Sequence, residues 1–147
     1  MNYYNVAGHS FGVSGSAEIF ALMDNYEPFL ASPSGDDSVF MLTVTEGQAV
    51  SYIEDLRQEE EGQQIICGQT AAHEPVYEFI WWNESAGWLV CTDDYREGRL
   101  ILTGQHTKMA IDNAVMVMYA LSTADKSTVL FHASAVSYDG RGYLFLG

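Results

Sequence analysis

Histidine and serine are the side chains in this sequence best suited to acid–base or nucleophilic chemistry. Ser134 and Ser137 lie on the same predicted strand as His132, but no GxSxG elbow and no orienting acid accompany them, as a serine hydrolase requires. The four histidines are far apart and lack the close spacing that places two zinc ligands on one helix: His9, His73, His106 and His132. We therefore predict no catalytic residue and no metal site within these 147 residues.

Aromatic side chains are concentrated between residues 77 and 88. Alternation along a strand places Tyr77, Phe79 and Trp81 on one face of a sheet and Trp82 on the other. Trp81, Trp82 and Trp88 are the candidate ligand or interface residues, because an exposed aromatic cluster can mark a binding surface. The alternative is that one face belongs to the core and a loop half covers the other.

The net charge of −14 limits the classes of partner. Such a surface repels phosphate backbones and anionic headgroups, so we expect no nucleic acid and no membrane partner. The acidic run over residues 54–61 has the composition of a solvated surface. The longest apolar run, residues 114–121, is much shorter than the roughly 20 residues that cross a bilayer.

The chain contains two cysteines, Cys67 and Cys91, far fewer than a small secreted scaffold carries. The N-terminus has neither a basic segment nor an apolar segment of a secretory signal. We therefore expect a cytoplasmic protein with two buried thiols, although the sequence leaves open whether the cysteines pair.

Most of the chain has the residue pattern of β-strands, and these strands must position the candidate residues. Turn signals separate four apolar segments at intervals of about ten residues, which predicts an antiparallel meander: 64–68, 76–82, 87–92 and 98–103. Residues 2–6 and 10–13 predict a hairpin, and residues 39–44 predict a buried strand. Ser16 is expected to cap a short helix over residues 17–25, followed by an extended segment over 26–31. Residues 48–61 give no clear assignment.

One long helix is predicted over residues 107–124, with Thr107 as its cap. Apolar residues repeat there at intervals of three and four, among them Ile111, Val115 and Met118, and most residues between them are also apolar. Asp139-Gly140 then predicts the turn of a C-terminal hairpin. The expected fold class is α+β: a mostly antiparallel sheet, one long buried helix over about 107–124 and a C-terminal β-hairpin.

The last hairpin carries a resemblance to a known family. FHASAV at residues 131–136 and DGRGYLFLG at residues 139–147 resemble HPr-kinase-like proteins, to which bacterial phosphoenolpyruvate carboxykinases are similar. In that family a strand bearing a histidine leads through a glycine-rich turn into a second strand. The second strand enters the phosphate-binding loop, GxxxxGK followed by Ser or Thr. Gly147 corresponds to the first glycine of the loop, and His132 to the strand histidine near the phosphates.

The resemblance implies that residues 1–127 are an N-terminal accessory domain for substrate recognition, regulation or assembly. Residues 128–147 are then the first hairpin of a kinase-like domain that continues beyond Gly147. That domain would be the partner of this region and would bind ATP and Mg²⁺, using Gly147 and His132. Residues 1–147 alone are expected to bind no cofactor and to be catalytically inactive, and we expect them to form a homo-oligomer through the exposed last strand.

Two other functions remain open from the sequence. The chain could be a self-contained module that binds a small ligand or a protein through its aromatic sheet face. It could instead be a small enzyme, which requires a cleft with titratable groups whose pKa values are shifted. No group of residues in the sequence can be nominated for such a cleft.

Overall fold

The computed structural model of the protein describes residues 1–33, 37–131 and 133–146. Eleven strands lie in this part of the chain. The first six are β1 (Asn2–Val6), β2 (His9–Ser14), β3 (Leu30–Ala31), β4 (Met41–Glu46), β5 (Ile53–Glu60) and β6 (Gln63–Gln69). The others are β7 (Pro75–Trp81), β8 (Glu84–Cys91), β9 (Glu97–Leu102), β10 (Ala133–Tyr138) and β11 (Arg141–Leu146).

Nine of these strands form one sheet in the order β3-β1-β2-β4-β9-β8-β7-β6-β5. All neighbours are antiparallel except that β4 lies parallel to both β2 and β9. Strands β5 to β9 follow one another in space as in sequence, which confirms the predicted meander. The unassigned residues 48–61 contain the edge strand β5, in which every residue is exposed. A strand exposed on both faces has no hydrophobic pattern that could reveal it.

One long helix, α2 (Thr107–Thr123), packs against β8, β9 and β4 on one face of this sheet. Its buried residues include Ile111, Ala114 and Met118, which join the strand residues Leu42 and Leu89 in the main core. None of the helices in the described ranges is long and apolar enough to cross a membrane. The predicted mostly antiparallel α+β fold with one long buried helix is thus confirmed.

The N-terminal segment covers the same face beside α2. Helix α1 (Ala17–Ala21) is capped as predicted, because the Ile19 N–H donates to Ser16 Oγ at 3.4 Å. The helix predicted to residue 25 ends at Ala21, and residues 26–29 are not extended as predicted, whereas Leu30–Ala31 form the extended strand β3. A 3-10 helix, Asp24–Phe29, follows α1 and includes Pro28. Proline is compatible with this conformation because its fixed φ falls in the 3-10 range.

The predicted capping residue of α2 needs correction, although the predicted start does not. The helix begins at Thr107, and the capping position is occupied by His106, whose φ of 48° is left-handed and whose side chain makes no capping bond. The His106 ring is instead 2.9 Å from Glu84 Oε2 at the start of β8. The His106 side chain therefore contacts β8, and α2 begins without the side-chain cap expected of Thr107.

The C-terminal hairpin forms as predicted but stands apart from the large sheet. Strands β10 and β11 pair only with each other among the described strands. Asp139 and Gly140 form the turn with φ values of 49° and 70°, the left-handed pair of a type I′ turn. Within the described part of the chain, the hairpin therefore makes a second, two-stranded sheet.

Candidate functional site

Two hairpin turns lie side by side at one end of the large sheet. The β5–β6 turn passes through Glu61 and Gly62, with φ values of 45° and 84°. The β7–β8 turn passes through Trp82 and Asn83, with φ values of 46° and 68°. Left-handed conformations at both central positions suit the twist of the flanking strands. The Trp82 N–H donates to the Gly62 carbonyl at 2.8 Å, which joins the two turns.

Trp82 is an exposed indole held in a fixed position. The sequence placed Trp82 on a strand, but β7 ends at Trp81 and Trp82 begins the turn. A Cβ on Gly62 would meet the Trp82 ring at 2.9 Å, so the ring lies directly against this glycine, while the side chain remains 66% exposed. A bulky residue with positive φ is an outlier, and such backbone strain often occurs at functional sites.

The neighbouring Trp81 ring is 6.2 Å from the Trp82 ring, at an interplanar angle of 82°. Trp81 lines a cavity of about 510 Å³ between the end of the sheet and α2, here called the Trp81 groove. Trp81 lies directly opposite Gln63 on β6, and Gln63 lies opposite Glu60 on β5. Residues opposite one another share a face of the sheet. These three side chains therefore form a row along the floor of the groove.

The next row of the floor contains Gln58 and Ile65, and Glu61 of the turn completes the strand side. Helix α2 forms the opposite wall with Asn113 and Met116. Gln63 Nε2 donates to Asn113 Oδ1 at 3.1 Å, and this bond links the floor of the groove to the helix. Since β5 is the edge strand, the groove has no neighbouring strand beyond it among the described residues.

The lining of the Trp81 groove combines aromatic, amide and carboxylate groups. Glu60 and Glu61 contribute negative charge, and no Lys, Arg or His among the described residues lines the cavity. Gln58 and Gln63 bring amides that can both donate and accept hydrogen bonds. The groove therefore presents acceptors in excess, some donors and one indole wall. On its other side Trp81 lines a second cavity of about 520 Å³ with Leu22 and Met109.

Trp88 is not part of this site. It lies on the opposite face of the sheet, is only 7% exposed and packs with Val76 and Val90. Tyr52, from the segment before β5, packs over this cluster, and its hydroxyl donates to Glu78 Oε2. Burial first, and then this hydrogen bond, raise the pKa of Tyr52. Of the three predicted tryptophans, Trp81 and Trp82 are brought together and Trp88 is buried elsewhere.

The described histidines have separate environments. His9 Nε2 is 2.7 Å from Thr128 Oγ1, His106 faces Glu84, and His73 lies in a left-handed position of the β6–β7 turn. No group of three or more His, Cys, Asp or Glu side chains in the described ranges is placed to hold a metal ion. The proposed nucleotide residues His132 and Gly147 lie outside the described residues.

The segment before the hairpin contacts the body of the protein. Leu130 and Phe131 line an apolar cavity of about 530 Å³ with Phe11, Val115 and Tyr119. The Tyr119 hydroxyl donates to the Val6 carbonyl at 2.9 Å within the same region. The connection to the hairpin therefore borders this cavity together with α2 and the N-terminal strands, while Leu130 and Phe131 remain exposed.

Sequence reasoning identified the two tryptophans but not the polar half of the groove. A Glu-Gly turn between two strands is the signal that would have placed Glu60 opposite Gln63. This signal was missed because every residue of β5 is exposed, so its sequence shows no strand alternation. Asn113 and Met116 carry no local signal, because only the packing of α2 brings them to the site.

No family model, no curated protein and no solved structure matches the chain.

Proposed function

We propose that residues 1–127 are the accessory region of an HPr-kinase-like, ATP-dependent kinase and that residues 128–147 begin its catalytic domain. The observation that carries this proposal is the separate C-terminal hairpin. It bears the sequence that resembles the strands before a phosphate-binding loop, and it pairs with no strand of the large sheet among the described residues.

The exposed apolar side chains of the hairpin support the proposal that a further domain covers it. In the register of β10 and β11, Val136 lies opposite Tyr143 and Ser134 opposite Phe145, so the large side chains Val136, Tyr143 and Phe145 share one face. Leu144 lies on the other face, opposite Ala135. These four large side chains are all exposed.

A two-stranded hairpin is only marginally stable in water by itself. Three or more strands or a packed helix are needed to stabilise it, and a large exposed apolar patch marks an interaction site. Further strands of a kinase domain would add hydrogen bonds to the hairpin edges and cover both faces. The proposed role of the hairpin is therefore to lead the chain into that domain, where ATP and Mg²⁺ would bind.

Calorimetry of ATP–Mg²⁺ binding tests the proposal. The 147-residue chain is compared with the product of the uninterrupted native gene. We expect the gene to continue into GxxxxGK followed by Ser or Thr, and its product to bind nucleotide while the shorter chain does not. A gene that ends at Gly147, or a longer product without nucleotide binding, would overturn the assignment.

A second function, a binding module, is favoured by one specific observation. Trp82 is exposed, strained and held against Gly62 beside the Trp81 groove. The backbone amide and tryptophan indole NMR signals of the 147-residue chain can be followed against a library of small polar compounds. Selective shifts at Trp81 and Trp82, lost on Trp82→Ala, would support the module. Unchanged signals throughout the library would reject it.

A further inference from the structure

The chemistry of the Trp81 groove restricts what could occupy it. Two carboxylates, Glu60 and Glu61, line the cavity in a chain of net charge −14. Phosphorylated or carboxylated ligands would be repelled there. The ligand must therefore be neutral or cationic.

The amides distinguish these two possibilities. Gln63 Nε2 already donates to Asn113 Oδ1. A cation only donates hydrogen bonds, so it could pair with the carboxylates and the amide oxygens but not with the N–H groups of Gln58. A hydroxyl group both donates and accepts, and so can pair with either end of Gln58 or Gln63 as well as with Glu60. The mixture of amides and carboxylates on the floor therefore matches a ligand that carries several hydroxyl groups.

The indoles supply the apolar contact for such a ligand. A pyranose ring has an apolar face of C–H groups, which can lie on an exposed indole. Trp82 offers such a surface at reduced ordering cost, because its ring already lies against Gly62 and its backbone N–H is bonded to the Gly62 carbonyl. Preorganisation of this kind increases affinity by reducing the entropy lost on binding.

The shape of the site indicates a chain rather than a single sugar. The groove runs between α2 and the floor strands and reaches the edge strand β5, whose residues are all exposed. Trp82 lies outside the cavity, with its ring centroid 6.2 Å from that of Trp81 in the cavity wall. Successive sugar rings could thus contact Trp82 and the row formed by Trp81, Gln63 and Glu60.

We propose that the Trp81 groove and Trp82 bind a neutral oligosaccharide. Trp81 and Trp82 contact the C–H faces of its rings, and Gln58, Glu60 and Gln63 hydrogen-bond its hydroxyl groups. This inference rests on the binding-module function and is independent of the kinase assignment, because residues 1–131 supply every group involved.

The test is a titration of the 147-residue chain with cellohexaose, maltohexaose, xylohexaose and chitohexaose, followed by the indole NMR signals. At least one hexasaccharide is expected to shift the signals of Trp81 and Trp82 and leave that of buried Trp88 unchanged. Trp82→Ala should weaken binding at least about tenfold, as expected for loss of an aromatic anchor. Tyr138→Ala, which removes an exposed aromatic side chain from the hairpin, should leave affinity unchanged.

Glu60→Gln separates a saccharide from a cation. The amide still accepts a hydrogen bond from a hydroxyl, so saccharide affinity should change less than about threefold. An alkylammonium ligand would lose one of its two carboxylate partners, with a fall of about tenfold. If Trp82→Ala folds poorly, Trp82→Gly is a second variant, because glycine suits the left-handed backbone at this position. It should lose saccharide binding as well.

Each outcome has a definite meaning. If tetramethylammonium shifts both indole signals and no saccharide does, the site binds cations and the saccharide proposal is wrong. If other neutral compounds shift them and the four hexasaccharides do not, the binding module stands without its saccharide ligand. If no compound shifts the indole signals of Trp81 and Trp82, both the binding-module proposal and the saccharide proposal are wrong.

Discussion

At the scale of single residues, Trp82 combines a strained backbone with a stabilising contact. Its φ of 46° is unfavourable for any residue with a Cβ, whereas its ring packs on Gly62. We expect Trp82→Gly to be more stable than Trp82→Ala by about 1 kcal/mol, because both lose the ring but only glycine relieves the strain. Urea unfolding of the two variants measures the difference.

A matched pair on a regular strand serves as the control. Glu59 is exposed on β5 and has no left-handed backbone. There, glycine should be less stable than alanine by about 0.5–1 kcal/mol, because glycine loses more backbone entropy on folding. If the glycine variant has a lower free energy of unfolding than the alanine variant at position 82 as well as at position 59, the Trp82 backbone is not strained.

The buried thiol of Cys91 should lower the free energy of unfolding at alkaline pH. Cys67 and Cys91 are both free thiols, and burial raises the pKa of Cys91 to about 12. An unfolded chain releases the Cys91 proton near the ordinary thiol pKa of about 8.5. Above that pH the unfolded state holds fewer protons than the folded state, so the free energy of unfolding falls as pH rises. The slope for one group is at most about 1.4 kcal/mol per pH unit.

Urea unfolding at pH 8 and pH 9.5 checks this dependence before most tyrosines ionise in the unfolded chain. Cys91→Ala should reduce the pH slope, although it removes a buried side chain that contacts Met118 Sδ at 3.5 Å. Cys67 is only partly buried, and its pKa is raised in the same direction. An unchanged slope in Cys91→Ala would refute the assignment to this thiol.

At the scale of elements, the contact between α2 and β9 depends on the absence of a side chain at Gly98. A Cβ there would meet Met118 Sδ at 2.9 Å and Leu89 Cδ1 at 3.2 Å. Both neighbours are fully buried, so the Met118 side chain would have to repack within the core to make room for a Cβ. Gly98→Ala should therefore destabilise the protein by about 1–3 kcal/mol.

Gly142 on β11 provides the matched glycine-to-alanine control. A Cβ at Gly142 would meet nothing within 4 Å, and its backbone is not left-handed. The change should alter the free energy of unfolding by no more than about 0.5 kcal/mol. Chemical unfolding of both variants should separate them clearly, and similar values would mean that α2 can shift away from β9 at little cost.

The elements differ in how well they could be predicted from their sequences. The meander, α2 and the Asp139–Gly140 turn were predictable, because each has a local signal of period or turn type. The edge strand β5 was not, since a strand without a buried face shows no alternation. The polar wall of the groove was also missed, because Asn113 reaches Gln63 only through the packing of α2 on the sheet.

At the scale of the whole molecule, the uncovered hairpin should cause self-association. Its apolar face, and strand edges that pair with no other described strand, can pair with a second copy, while the net charge of −14 opposes close approach. Salt screens this repulsion, so we expect the associated fraction to rise with both protein and salt concentration. Light scattering measures it, and a clean monomer at high concentration and high salt would contradict the expectation.

Substitutions locate the associating surface. Val136→Lys and Phe145→Lys place charges on the apolar face of the hairpin and should keep the protein monomeric. Ile53→Lys changes a similarly exposed apolar residue on the edge strand β5 of the large sheet. It should leave association unchanged if the hairpin is the contact, and abolish association if the β5 edge is.

The parallel pairing of β4 with β9 has a further consequence, for the order of folding. Met41 lies opposite Glu97, so the whole β5–β8 segment must be closed as a loop before this pairing can form. Strands β5 to β9 need only short turns to meet. Because closing a long loop costs entropy before any contact compensates for it, we expect the meander to form early and β4 to dock late. Core substitutions in β4, such as Leu42→Ala, should then mainly accelerate unfolding, whereas Leu89→Ala in the meander should also slow refolding.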